Sequence, residues 1–155
     1  MSVVDAVIQV LETYVSTTSP TPSISTNFHT NRPPNISIRN YLRRLEQYMK
    51  CTPESYIVAL IYLDRVTAKK PEIVLSNYCI HRLFLTALII SVKFYEDKYF
   101  KNSYYGKVGG IPGSEVNVLE HEFLICIDFC LYVKTEEYEN YLNTLLSYFE
   151  NGGSS

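Results

Sequence analysis

Apolar residues at the start of the chain recur every three or four positions. Those on one side of a helix are Val3, Val4, Val7, Ile8, Leu11, Tyr14 and Val15. This spacing predicts an amphipathic helix over residues 2–15, in an N-terminal segment of residues 1–15. Residues 16–27, STTSPTPSISTN, show no periodicity and are rich in Ser, Thr and Pro, so they predict a linker. We expect the N-terminal helix to lie outside the domain that follows.

The next two elements are also predicted to be helices. Residues 36–50 carry one apolar stripe, made of Ile38, Leu42, Leu45 and Met49. Thr52 and Pro53 then suit the cap and the first position of a helix over residues 53–68. That helix contains the apolar run YIVALIYL, which is also compatible with a buried strand. The cap and the length favour a helix buried on all sides, at the centre of a bundle.

Three more helices follow in the pattern. Ser76 is placed to cap a helix over residues 77–95, and Ser114 to cap one that runs to about Asp128. Thr135 begins the last helix, whose apolar stripe is Tyr138, Leu142, Leu145 and Phe149.

Glycines and prolines mark the segments predicted to be irregular. Residues 98–113 contain four glycines and Pro112, which we interpret as breakers, and residues 151–155, NGGSS, predict a disordered tail. Alternating strand patterns do not occur in the sequence. The expected fold is all-α, with five helices around a central buried helix in one domain over residues 28–150, plus the N-terminal helix.

Composition narrows the class of protein. The chain has 155 residues, 46% of them apolar and 19% charged, which suits a single packed domain. Its net charge is −2 and it has no basic block, so binding to nucleic acid is not expected. It also lacks an apolar run of the roughly 20 residues that cross a bilayer, and its start does not resemble a secretory signal. We therefore expect a protein of the cytoplasm or nucleus, without a membrane partner, whose four cysteines are reduced thiols.

Convergent catalytic groups are not apparent. The residue four positions after His121 is Ile125, so a zinc-binding HExxH pair is absent. Cys126 and Cys130 are spaced to share a metal, but without a second ligand pair buried inert thiols are the better interpretation. The glycines of KVGGIPG lack the lysine of a phosphate-binding loop and are better explained by a turn that leads into a helix. No cofactor, metal or enzymatic activity is expected, and binding becomes the favoured function.

The stretch LFLTALIISVKFYED, residues 83–97, places a cation directly after a long apolar run. Ile90, Lys93, Phe94 and Asp97 are three or four residues apart and share one helix face, and Glu120 and Leu124 share another. One interpretation is a helix end at which Lys93 extends to solvent while Phe94 fills the core. The other is an apolar protein-binding pocket edged by two opposite charges.

Several stretches in order resemble a cyclin box, and specifically that of P/U-type cyclins related to the yeast phosphate-pathway cyclins. They are FHTNRPPNISIRNYLRRLEQYMKCTP, YIVALIYLDRV, SVKFYED, NSYYGKVGGI and EVNVLEHEFLICIDFCL, within residues 28–133. The resemblance implies a five-helix box with an added N-terminal helix. It also implies a regulatory subunit that binds a cyclin-dependent serine/threonine kinase as a heterodimer and holds the kinase's αC helix in its active position.

The resemblance also implies roles for particular residues. Lys93 and Glu120 match the charged pair that hydrogen-bonds the kinase. The apolar positions that receive an aliphatic side chain of its αC helix are matched by Ile90, Phe94, Leu124 and Leu131. Asp97 would lie near the kinase's activation segment, where it could replace a phosphate. Asp64 matches an aspartate whose usual role is internal pairing, so we expect it to be structural.

Two other classes compete with this interpretation. A cyclin-fold transcription factor or adaptor would act without a kinase, but the acidic balance and the lack of a basic stripe disfavour the DNA-binding form. An enzyme with a hidden site around His121 and the cysteines is the other alternative.

Overall fold

A computed structural model describes residues 2–16 and 21–152, with the side chains of Ser16 and of residues 149–152 left aside. Its regular elements are all helices: α1 (Val3–Ser16), α2 (Ile38–Tyr48), α3 (Pro53–Lys69), α4 (Ile80–Tyr95), α5 (Asn102–Gly109), α6 (Gly113–Cys126) and α7 (Thr135–Gly152). The predicted all-α class is confirmed, and within these residues there is no strand.

Helices α3 and α4 form the centre of the molecule. Every residue from Ser55 to Leu63 is buried, which confirms the prediction that this helix is covered on all sides. Small residues let the two helices approach closely, because Ala87 and Ser91 are both 0% exposed. The Ser91 hydroxyl donates to the carbonyl oxygen of Ser55 at 3.1 Å, which joins α4 directly to α3.

Helix α1 is part of this core, contrary to the expectation that it lies outside. Val7, Ile8 and Leu11 are all 0% exposed, and the helix packs against α2, α3 and α7. Two ion pairs hold it to α2, Arg43–Asp5 at 2.5 Å and Arg39–Glu12 at 2.6 Å. The apolar face that the sequence revealed therefore faces the domain itself.

Helix α5 occupies part of the segment predicted to be irregular, which corrects that prediction. Position 106, within the helix, requires glycine, because a Cβ there would clash with the carbonyl oxygen of Ile111. Gly110 follows the helix as its cap, with a left-handed φ of 78° that glycine adopts without strain. Gly106 thus permits a close approach of two backbones, whereas Gly110 ends α5.

Several helix boundaries also differ from their predicted positions. Ser76 accepts a hydrogen bond from the backbone of Tyr78 in a turn, and α4 begins only at Ile80. Helix α6 begins one residue before Ser114 and ends at Cys126. Helix α7 continues through the first two residues of the predicted tail. Residues 17–20 of the linker, residues 153–155 and the Phe149 side chain lie outside the described part.

Candidate functional site

Lys93 and Glu120 meet where the end of α4 packs against α6. The Lys93 ammonium donates to Glu120 Oε1 at 2.9 Å and to Oε2 at 3.1 Å. Their side chains are 27% and 15% exposed, so the ion pair sits at the surface but is partly withdrawn from water. Lys93 therefore does not simply extend into solvent, which was one of the two interpretations of the sequence.

Asn102, at the start of α5, completes this ion pair. Its amide oxygen accepts from Lys93 at 2.7 Å, while its amide nitrogen donates to Glu120 Oε1 and to Asn117 Oδ1, both at 2.5 Å. An ammonium has three N–H donors, which matches the three acceptors around Lys93: the two Glu120 carboxylate oxygens and the Asn102 amide oxygen. The two charges are thus held in fixed positions in the free chain. Sequence reasoning missed Asn102 because it assigned this segment to a loop.

The predicted apolar residues divide into exposed and buried members. Phe94 is 48% exposed and directly follows Lys93, the cation of this ion pair. Leu124 and Leu131 are half-buried at the edge of the core. Ile90 is only 3% exposed and packs in the core, so we leave it out of the exposed set, and its contact with a kinase stays a prediction. We use the name α4–α6 patch for Lys93, Phe94, Glu120, Leu124 and Leu131.

Two tyrosines fix the segment that carries Leu131. The hydroxyls of Tyr62 and Tyr95 donate to the Leu131 carbonyl oxygen at 2.7 Å and 3.4 Å. The Tyr95 hydroxyl also accepts from the backbone N–H of Val133 at 2.6 Å. Leu131 is therefore held against α3 and α4, although it lies beyond the end of α6.

The turn after α6 carries an exposed aromatic residue, Phe129. Asp128 and Phe129 both have left-handed backbones, with φ of 53° and 57°, which is strained for residues other than glycine. Phe129 is 61% exposed in this conformation. The sequence offers no periodic signal for it, because the residue follows the last turn of the helix.

The two aspartates singled out from the sequence lie in different surroundings. Asp97 is exposed, just after α4 and close in the chain to Phe94. Asp64 is exposed as a residue, yet its carboxylate accepts a hydrogen bond from the Tyr141 hydroxyl on α7, and partial burial raises the pKa of that carboxyl. Its partner is a phenol and not a cation, since the neighbouring Arg65 pairs with Glu137 at 3.0 Å. Asp64 thus connects α3 to α7.

Other features of the molecule could support a different site. A cavity of about 780 Å³ between α1 and α7 and one of about 380 Å³ near the start of α3 include no member of the α4–α6 patch. Within the described residues, no cluster of three or more His, Cys, Asp or Glu side chains could hold a metal, and no helix is long and apolar enough to cross a membrane. The four cysteines are free thiols, and burial raises the pKa of Cys51 to about 12.

Comparison with known proteins agrees with the resemblance found in the sequence. A sequence model of the family described as Cyclin matches residues 5–131, which includes most of α1 and all of α2–α6. Cyclin-U4-1 of Arabidopsis thaliana is 39% identical over 118 residues, which cover 76% of this chain and 58% of the relative. Cyclin-U4-3 of the same plant is 45% identical over 108 residues, 70% of this chain and 49% of the relative. Cyclin-P3-1 of Oryza sativa subsp. japonica is 38% identical over 117 residues, 76% and 49% of the two chains. The chain thus spans about half the length of these relatives.

Proposed function

This chain belongs to the cyclin family and is of its P/U type, and on that premise we propose that it binds a cyclin-dependent protein kinase through the α4–α6 patch. In this proposal the kinase's αC helix is the docked element. The chain holds that helix in its active position and contributes no catalytic group.

The observation that carries the proposal is the fixed ion pair beside an exposed aromatic side chain. Phe94 offers a large apolar anchor, and such anchors dominate binding energy when a partner covers them. Lys93 and Glu120 are already positioned by Asn102, so little side-chain freedom is lost when a partner binds. Opposite charges at the edge of an apolar contact orient the partner and exclude others. Asp97 is proposed to contact the kinase at the same surface.

The proposed activation is a shift between two states of the kinase. A kinase whose αC helix is displaced has its catalytic Lys–Glu pair misaligned. A subunit that binds only the αC-in state shifts the population toward that state by its difference in affinity for the two. Rigid presentation of the patch serves this purpose, because a deformable surface would bind both states.

Replacement of the apolar anchor tests the proposal. We expect Phe94→Ala to weaken kinase binding by about 2–4 kcal/mol, because the lost side chain is the most exposed apolar member of the patch. Lys93→Ala is expected to weaken kinase binding by about 1–3 kcal/mol, because the docked kinase would then cover Glu120 without its cationic partner, although Asn102 still donates to it. The measurement is binding of purified variants to a panel of cyclin-dependent kinases by surface plasmon resonance.

The control is Val74→Ala, which truncates an apolar side chain that is 69% exposed and lies before α4. Melting temperatures of all variants show whether a loss of binding reflects unfolding. Folded Phe94→Ala and Lys93→Ala variants that bind the same kinases as tightly as the Val74→Ala control would contradict the proposal.

A further inference from the structure

The smaller cavity opens beside the α4–α6 patch. Its volume is about 380 Å³, and it lies where the start of α3, the end of α4 and the start of α7 meet. Tyr95 lines it, and the same residue's hydroxyl holds the backbone of Leu131 and Val133. A partner seated on Phe94 and Leu131 would therefore reach the mouth of this cavity.

The charged residues that line the cavity are all acidic. They are Glu54 and Glu96, and among the described residues no Lys, Arg or His contributes to the lining. Glu96 is engaged within the fold, because its Oε2 accepts from the Ser55 hydroxyl at 2.6 Å and from the Thr52 backbone N–H at 3.2 Å. It thereby offsets the positive end of the α3 dipole. The charge of Glu96 is thus used by the protein itself.

Glu54 differs from Glu96, because no hydrogen bond or ion pair engages its carboxylate among the described residues. It is exposed in the first turn of α3 and forms no ion pair within residues 2–16 and 21–152. Burial raises the pKa of the Tyr138 phenol, and the negative charge of Glu54 on the other side of the cavity raises it further. The carboxylate therefore remains available at the cavity rim.

The rest of the lining suits a long side chain with a polar head. The cavity is also lined by Val58, Val133 and Tyr138, which supply apolar surface. Thr135 lines it as well, and its hydroxyl can accept a hydrogen bond from a bound group. A guanidinium has several donors in a fixed plane, and its aliphatic stem covers apolar surface. The lining thus matches an arginine better than a lysine, whose compact ammonium is more strongly hydrated.

We propose that this cavity receives an arginine side chain of the kinase that is docked on the α4–α6 patch. This inference rests on the proposed function and names a second point of contact. Phe94 anchors the docked helix, and the arginine extends from a neighbouring part of the same kinase into the cavity. Its guanidinium lies against Glu54 and the hydroxyl groups, and its stem lies between Val133 and Tyr138.

A titration without the kinase tests the chemistry of the cavity. The probe is N-acetyl-L-arginine amide, added to the ¹⁵N-labelled chain at millimolar concentrations and followed by NMR. We expect saturable shifts at the amides of Ser55, Thr135 and Tyr138, and a loss of affinity of about three- to fivefold in Glu54→Gln. The neutral analogue N-acetyl-citrulline amide should leave these amides nearly unchanged. Equal shifts with citrulline, or shifts spread over other acidic surfaces and unchanged in Glu54→Gln, would overturn the inference.

A second arm uses the kinase complex. We expect Glu54→Gln to lower kinase affinity by about three- to tenfold and to weaken its salt dependence. Glu72→Gln, which removes an exposed carboxylate before α4, is the matched control. If Glu54→Gln binds like wild type while Phe94→Ala does not, this inference is wrong and the proposed function stands. If the wild-type chain binds none of the kinases, the proposed function fails and this inference fails with it.

Discussion

At the scale of single residues, the two charges could be identified from the sequence but their mutual arrangement could not. Helical spacing placed Lys93 beside Phe94 and Glu120 beside Leu124, and the resemblance to cyclins gave both charges a role toward a partner. The structure shows that they also bind each other and Asn102. This contact joins residues on three helices, and spacing within a helix carries no information on such a contact.

His81 gives a prediction at the same scale. Its Nε2 is 2.8 Å from the carbonyl oxygen of Ile36, to which it can donate, while its buried Nδ1 has no hydrogen-bond partner within the described residues. Burial lowers the pKa of His81 below its ordinary value of 6.5, so the native state binds a proton less readily than the unfolded state. The free energy of unfolding should therefore fall as pH drops below about 6.5, by up to about 1.4 kcal/mol per pH unit, until the pH passes the lowered native pKa.

Urea denaturation of His81→Gln between pH 7.5 and 5.5 checks this expectation. The variant should lose part of the pH dependence that the wild type shows, whereas His121→Gln, at an exposed histidine, should keep it. A pH dependence identical in wild type and His81→Gln would show that burial of this ring is not responsible.

At the scale of helices, predictability followed the strength of the apolar pattern. Helix α3 was predictable because its apolar run leaves no polar face, and its start was predictable from Thr52 and Pro53. Helix α5 was missed because its glycines read as breakers, while Gly106 is there to let α5 approach Ile111. Whether a glycine ends a helix or permits a close contact depends on neighbours that are distant in the chain.

The role of α1 gives a prediction for a whole element. Leu11 is 0% exposed, so Leu11→Ala should lower the free energy of unfolding by about 2–5 kcal/mol, because it leaves a cavity between α1 and the core. Val74→Ala is the control, with an expected change within about 0.5 kcal/mol. Chemical denaturation measures both. A Leu11→Ala variant as stable as the control would mean that α1 is only loosely attached, as the sequence alone suggested.

At the scale of the whole molecule, the fold brings three distant segments to one surface. The end of α4, the start of α5 and the middle of α6 meet at Lys93, and the turn after α6 adds Leu131 through Tyr62 and Tyr95. The resemblance to cyclins implies a role for Lys93, Glu120 and Leu131, but not for Asn102, which joins the two charges. The resemblance also implies that Ile90 contacts the kinase, and in the free chain that side chain is almost wholly covered by the core.

Hydrogen–deuterium exchange of the chain with and without its bound kinase tests the central claim most directly. Residues 96–101 and 127–134 lie outside the helices and border the α4–α6 patch, so their amides should on average exchange faster in the free chain than those of the buried helix α3. The account predicts that the kinase slows exchange in both segments, while the far half of α7 is unaffected. The account would be contradicted if exchange in both segments stayed unchanged and slowed only at other surfaces, such as the cavity between α1 and α7.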